Sequence, residues 1–279
     1  MPVPPEVEED VLASDLVDDP TRSPAAEPVR AEITAERRRR WGRQATLAAV
    51  TLGAIGSFLA IGRTIEGTKG NAFDRAVMRR VGRIRTPVRN ALVRGVTFFG
   101  GVPGAVGVSL IAVAAARRRP RLALQIAIGA LGGVSAELGI KRFYARARPT
   151  LLAHLERVSS TSFPSGHSMA SSSLYLTLAF AASRSRRLRG RRPELLTGAG
   201  AVASAIGASR VYLGVHWPTD VIGGLALGTA WACLAEAVFD FTGAVRVERE
   251  AAEGPVLGGS GLGDSGLEGR GGEAEQRGG

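Results

Sequence analysis

The apolar residues of this 279-residue chain are gathered into six long runs with charged segments between them. The runs cover about 44–61, 96–116, 122–140, 169–183, 195–212 and 219–239. About 20 mostly apolar residues suffice for a helix to cross the hydrocarbon of a bilayer. Inside lipid every backbone polar group must be satisfied within the spanning structure, which leaves helices as the solution for runs of this length. The expected fold class is therefore all-α: a polytopic membrane protein with a six-transmembrane-helix bundle and disordered termini. Runs four and five are shorter or rich in small residues, and a helix buried among its neighbours would carry the same pattern.

The overall apolar share, 45 %, is ordinary for a soluble protein and hides this segregation. Residues 1–40 read as a disordered tail ending in a basic juxtamembrane segment, with 31–43 helical at the inner leaflet. The acidic, proline-containing start lacks the basic and apolar regions of a signal peptide. Residues 41–245 read as the membrane domain, with its motifs inside 122–240. Residues 246–279, rich in Gly and Glu, read as a second disordered tail. The single cysteine, Cys233, lies in an apolar run and can form neither an intrachain disulfide nor a cysteine metal cluster.

A net charge of +11 raises the question of nucleic acid. The arginines, however, sit mostly between apolar runs, where membrane orientation accounts for them, so no nucleic-acid partner is expected. Arginine-rich segments at 37–43, 117–121 and 184–192, with Arg246 and Arg249, fall on one side of six crossings. The positive-inside rule makes that side the cytoplasm and places both termini there. The connection 63–94 falls on the opposite side yet is also rich in arginine, and reads as a basic amphipathic helix along the membrane surface. Gly132-Gly133, Gly223-Gly224 and the small-residue stretch from Ala203 suit close helix–helix approach in lipid.

Three polar clusters then share the extracytoplasmic face. The first runs from Lys141 through Arg148-Pro149 at the end of the third run. The second is Pro164-Ser165-Gly166-His167 at the start of the fourth. The third is Ser209-Arg210 followed by His216 and Asp220, between the fifth and sixth runs. Lys141, Arg148 and Arg210 are cations at the ends of apolar helices, where they need a partner, and a phosphate would satisfy all three. Pro164-Ser165-Gly166-His167 has the look of a helix start. Free N–H groups there bind anions, Gly166 admits a ligand close to the backbone, and the Ser165 hydroxyl adds a donor. His216 and Asp220 are four apart, so Asp220 can accept a proton from one imidazole nitrogen and leave the other free to attack.

Each cluster alone has a plain explanation, as an interfacial histidine or a snorkelling arginine. Their conjunction on one face is what points to a site. His154 reads as a surface residue of the linker. Glu137, four residues before Lys141, reads as a counter-ion on the same helix face or as a substrate-gate residue, while Glu236 and Asp240 read as interfacial residues on the cytoplasmic side.

The clusters resemble the type 2 phosphatidic acid phosphatase superfamily, which also includes the vanadium haloperoxidases. Its pattern, Lys-x6-Arg-Pro, Pro-Ser-Gly-His and Ser-Arg-x5-His-x3-Asp, is met here without substitution. The resemblance implies a membrane phosphatase acting on a membrane lipid phosphate such as phosphatidic acid, phosphatidylglycerol phosphate or a polyprenyl diphosphate. It implies His216 as the nucleophile that becomes phosphohistidine, Asp220 as its orienter, and His167 as the acid and then the base. Lys141, Arg148, Arg210, Ser165 and Gly166 would hold the phosphoryl oxygens. With no metal ligand set in the sequence, the resemblance implies a reaction without metal or cofactor. A vanadate-dependent haloperoxidase would share the anion pocket, but six lipid-grade runs disfavour it. A non-catalytic transport or scaffold protein would be favoured by a lost motif residue, and none is lost.

Overall fold

The computed structural model describes residues 27–65, 70–158 and 160–253; within helices, the side chains of 27, 29, 30, 133–138 and 244–253 fall outside the described set. Residues 1–26 of the tail expected over 1–40, residues 254–279 of the tail expected over 246–279, the side chain of Glu137, and those of Arg246 and Arg249 therefore lie outside the described residues. Residues up to Asp240 make one compact unit and those from Phe241 onward a second, whose described part is the final stretch of the last helix.

The described elements are helical. They are α1 (Glu27–Arg63), α2 (Ala72–Ile84), α3 (Pro87–Phe98), α4 (Val102–Ala115), α5 (Pro120–Tyr144), α6 (Gly166–Ser183), α7 (Arg192–Tyr212) and α8 (Pro218–Glu253). Helix starts follow local chemistry. Asn71 and Asp74 form a reciprocal capping box on α2, and the Thr86 hydroxyl caps α3 with Pro87 behind it. Each of the six apolar runs falls on helix. The first merges with the basic segment before it into the single helix α1, which begins at Glu27. The last continues to Glu253, past the expected boundary near 246, because its extension (VEREAAE) is made largely of good helix formers.

Two expectations need correction. The run 96–116 is not one straight helix: its start belongs to α3, and Phe99-Gly100-Gly101 breaks the chain before α4 at an angle of 46°. Gly104 makes the sharp turn possible, since a Cβ there would stand 2.1 Å from the Phe98 carbonyl oxygen. The basic stretch 63–94 is likewise two helices, parted at Pro87. The face of α2 bearing Met78, with Val77 and Val81, packs against Val211, Trp217 and Val221, so it docks on the bundle rather than lying wholly along a membrane.

Among the described residues, two helices can cross a membrane by length and composition, α1 (as Ala31–Arg63) and α8 (as Pro218–Gly243), or three if the bent pair α3–α4 counts as one. On α1, Val50, Leu52, Ile55 and Leu59 are exposed, as a lipid-facing helix requires. Helix α6 is the buried centre, packed between α5 and α7. Small residues set its distance from α8: a Cβ at Gly224 would lie 2.5 Å from the Ser165 carbonyl, and one at Gly228 only 2.0 Å from Ser172 Oγ and 2.3 Å from the Met169 carbonyl. At the far end of these helices the Glu236 and Asp240 side chains are paired inside the protein, at 1 % and 6 % exposure. Arg184 reaches Glu236 at 2.7 Å and Asp240 at 3.4 Å, and Gln125 donates to Glu236 at 2.8 Å. Burial without such partners would be prohibitive for two carboxylates.

Close approach at Gly228 predicts that Gly228→Ala lowers the thermal midpoint in detergent, by about 1–3 kcal/mol of stability. Gly198→Ala in the open part of α7, where an added Cβ meets nothing within 4 Å, should be neutral or stabilising by up to about 1 kcal/mol. Equal midpoints for the two variants would refute the packing account.

Candidate active site

The ends of α5, α6 and α7, with the links 145–165 and 213–217, line one cavity of about 350 Å³. Six of the eight expected site residues line it: Lys141, Arg148, Gly166, His167, Arg210 and His216. Ser165 and Asp220 are buried beside them. The elbow between α3 and α4 closes one side through Gly100, Val102 and Ala105. A larger cavity of about 720 Å³ opens at the opposite ends of α4, α5 and α6, beside Arg117, Arg118 and Arg119, and holds none of the expected site residues. The smaller cavity is the one with the chemistry.

His216 stands in the link before α8, almost wholly buried. Its Nε2 lies 3.2 Å from Arg148 Nη1. A guanidinium only donates, so Nε2 must present its lone pair, and the ring proton resides on Nδ1. Nδ1 faces Asp220 Oδ2 at 3.5 Å, long for a hydrogen bond and with no closer partner. A few tenths of an ångström would bring the pair within hydrogen-bond range. Burial lowers the His216 pKa to about 4; Asp220 opposes the shift, while Arg148 and Arg210 add to it. At neutral pH the imidazole is therefore uncharged and nucleophilic.

Asp220 is held on all sides. Its Oδ2 accepts from the Trp217 N–H at 2.8 Å and from the Ser162 hydroxyl, and its Oδ1 accepts from Arg146 Nη1 at 2.6 Å. Arg146 is itself 3 % exposed. It spans two carboxylates, because its Nη2 donates to Asp74 Oδ2 at 2.7 Å. Thr219 completes the group, donating its backbone N–H to Asp74 Oδ1 at 3.0 Å. The guanidinium also lies over the Trp217 ring, 5.6 Å from its centroid. Neither Arg146 nor Asp74 was singled out from sequence. A signal existed for Asp74, the one acid in the arginine-rich stretch from Gly70 to Phe98. For Arg146, one of several arginines around the first motif, no such signal stood out.

Helix α6 begins at Gly166 with Ser165 as its N-cap, and Pro164 precedes the cap. The first bond of the α6 helix is from Met169 N–H to the Ser165 carbonyl, so the N–H groups of Gly166, His167 and Ser168 have no helical acceptor. Ser165 Oγ accepts from Ser168 Oγ at 3.0 Å, which leaves its own proton to donate. His167 abuts the α3–α4 elbow, where a Cβ at Gly101 would come within 3.2 Å of His167 Nε2.

The cations differ in their surroundings. Lys141 Nζ reaches Ser160 Oγ at 3.2 Å, and Arg148 is further fixed by donating Nη1 to the Val215 carbonyl at 2.5 Å and Nε to the Ser160 carbonyl at 2.7 Å. Arg210 Nη1 donates to Glu156 Oε2 at 2.5 Å and to Thr97 Oγ1 at 2.9 Å. Glu156 was also missed: an isolated acid in a linker carries no motif. His154, expected at the surface, is exposed and meets the Pro149 carbonyl at 2.7 Å.

Residues 105–242 match the PAP2 superfamily. Phosphatidylglycerophosphatase B of Bacillus subtilis is 30 % identical over 174 residues, covering 61 % of this chain and 85 % of that protein. Decaprenylphosphoryl-5-phosphoribose phosphatase of Mycobacterium tuberculosis is 30 % identical over 152 residues, 53 % of this chain and 79 % of that protein. Among solved structures, the transmembrane PAP2 type phosphatidylglycerolphosphate phosphatase from Bacillus subtilis aligns with a TM-score of 0.63 at 30 % identity, over 69 % of this chain and 96 % of that chain.

Two outcomes follow from the geometry. Arg146→Met strands two buried carboxylates and should cost about 3–5 kcal/mol of stability, read as a lowered thermal midpoint; the Asp74→Asn/Arg146→Met double variant should recover part of the loss. The protein has only three histidines, so ¹⁵N-histidine spectra resolve His216. Because its pKa is lowered, the neutral ring persists as pH falls from 7 to 5 and protonates only near 4. A midpoint at or above the ordinary 6.5 would contradict the buried, cation-flanked setting.

Proposed function

This chain belongs to the PAP2 superfamily, and from that premise we propose that it hydrolyses a phosphomonoester or diphosphate carried by a membrane lipid, through a phosphohistidine at His216. The observation that carries the reading is the His216 Nε2 lone pair, set 3.2 Å from Arg148 inside a cavity that also presents Lys141 and Arg210. Phosphoryl transfer needs an aligned nucleophile and fixed positive charge around the equatorial oxygens, and this arrangement offers both.

In the first step Nε2 attacks phosphorus as the bond to the leaving oxygen breaks. His167, which takes up a proton once the phosphate brings its negative charge into the cavity, gives that proton to the leaving oxygen. In the second, now-neutral His167 takes a proton from water as the water attacks phosphorus; the P–N bond breaks, releasing phosphate and restoring His216. Lys141, Arg148, Arg210, the Ser165 hydroxyl and the Gly166 N–H hold the phosphoryl oxygens. Asp220 keeps the proton on Nδ1 and offsets the charge that forms on the ring. A cavity whose charge is mainly cationic does this work without a metal.

The lipid class follows from position. In this reading α1, the bent pair α3–α4, α5, α6, α7 and α8 make six crossings. Both termini are cytoplasmic and the cavity is extracytoplasmic, in accord with the arginines between the other helix ends. An acyl or prenyl tail could then stay in the bilayer while the phosphate enters. Phosphatidic acid, phosphatidylglycerol phosphate and polyprenyl diphosphates make the panel, and the named relatives, one a phosphatidylglycerophosphatase and one a decaprenylphosphoryl-5-phosphoribose phosphatase, support a phosphorylated glycerolipid and a polyprenyl-linked phosphate within it.

Detergent-purified protein should release phosphate from at least one of these lipids, with activity retained in EDTA. His216→Ala should lose activity to background. His167→Ala should slow turnover by about 10²–10⁴-fold and allow a phosphorylated protein to accumulate. No release from any of the panel, or full release by His216→Ala, would overturn the proposal.

A further inference from the structure

Arg210 meets an internal anion. It is 3 % exposed, and Glu156 Oε2 lies 2.5 Å from its Nη1. Glu156 is the one acid among the described residues lining the cavity, beside Lys141, Arg148, His167 and His216. The pair did not come together by a loose loop falling inward. Leu155, the preceding residue, is held at both ends of its backbone: its N–H donates to the Leu213 carbonyl at 3.0 Å and its carbonyl accepts from Arg94 Nη2 at 3.0 Å. The Glu156 side chain is 28 % exposed at the cavity mouth, so it can leave Arg210 by rotating outward, without moving this anchored backbone.

A phosphoryl oxygen that reaches Arg210 must displace or share this carboxylate. The two kinds of phosphate in a membrane differ in their means of doing so. A phosphodiester headgroup carries one negative charge, equal to that of the carboxylate it would replace. A phosphomonoester carries close to two at neutral pH, and its extra charge and free oxygens give it the advantage at a cluster of cations. Without such a competitor, several cations at the membrane surface would collect the abundant anionic diester lipids.

We propose that Glu156 is a specificity residue: it occupies Arg210 as an internal anion, excluding phosphodiester headgroups from the cavity and yielding to phosphomonoesters. This rests on the phosphatase reading above and assigns a selectivity to the same site. Selectivity here comes from a repulsive element against the wrong ligand rather than an added contact to the right one.

The test uses the full chain in detergent, with short-chain phosphatidic acid as substrate, and short-chain phosphatidylglycerol or inorganic phosphate as competitor. The wild type should be inhibited by phosphate and scarcely by the diester. In Glu156→Gln the diester should inhibit about 3- to 10-fold more strongly, the gain expected from removing a partly exposed ionic competitor, while kcat changes by less than about 3-fold. Glu156→Asp, one methylene too short for the contact, should move the same way by less and serves if the glutamine variant does not fold. Unchanged diester inhibition in the variants would overturn the proposal. So would weaker binding of phosphate together with a fall in kcat, the result expected if Glu156 merely held Arg210 in position. Shifts of the thermal midpoint by phosphate and by the diester report the same binding without turnover. A wild type that hydrolyses no lipid phosphate thus defeats the phosphatase reading while leaving the role of Glu156 readable.

Discussion

Arg146 and the two carboxylates it joins are the hinge on which the site turns. A guanidinium and two carboxylates taken out of water are costly, and only full pairing offsets the desolvation. Here the pairing is nearly complete: Asp74 takes Arg146 and Thr219, and Asp220 takes Arg146, Ser162 and the Trp217 N–H. The partners come from α2, the link after α5, and the start of α8. The network therefore ties a peripheral helix to the segment that carries His216. It also keeps Asp220 with the charge and orientation needed to hold a proton on Nδ1.

The cavity and this network divide the electrostatic work. Behind His216, negative charge is matched by Arg146. In front, positive charge from Lys141, Arg148 and Arg210 faces the cavity, with the unspent N–H groups at the start of α6 adding to it. His216 lies on the boundary and is neutral there, since burial and the cations outweigh the pull of Asp220. The small residues of α6, α7 and α8 make the boundary thin. Gly224 sits against the Ser165 carbonyl and Gly207 against Val221 and Ser168, so the α6 start and the α8 start approach closely.

Much of this was legible in the chain. Hydrophobic runs of spanning length report helices directly, because no other local structure hides a backbone over so many apolar residues. The three motifs also singled out residues that the fold brings together, six of the eight lining one cavity. Less legible was the elbow at Phe99-Gly100-Gly101. Apolar content is continuous across it, and the break depends on how Gly104 meets Phe98. Nor did composition reveal that Glu236 and Asp240 pair with Arg184, because that partner lies more than fifty residues away.

By itself the sequence determined the helices, the motif residues and the class of anion they suit. These depend on local period, residue type and short spacing, all of which survive in one dimension. Only the tertiary structure decided that Arg146 serves Asp74 and Asp220, that His216 presents Nε2 and not Nδ1, and that Glu156 reaches Arg210 inside the cavity. Each is a contact between residues more than fifty positions apart, or a choice between two nitrogens of one ring. The physical reason is the same throughout: a buried charge takes its meaning from the partner packing brings to it, and that partner is set by the fold.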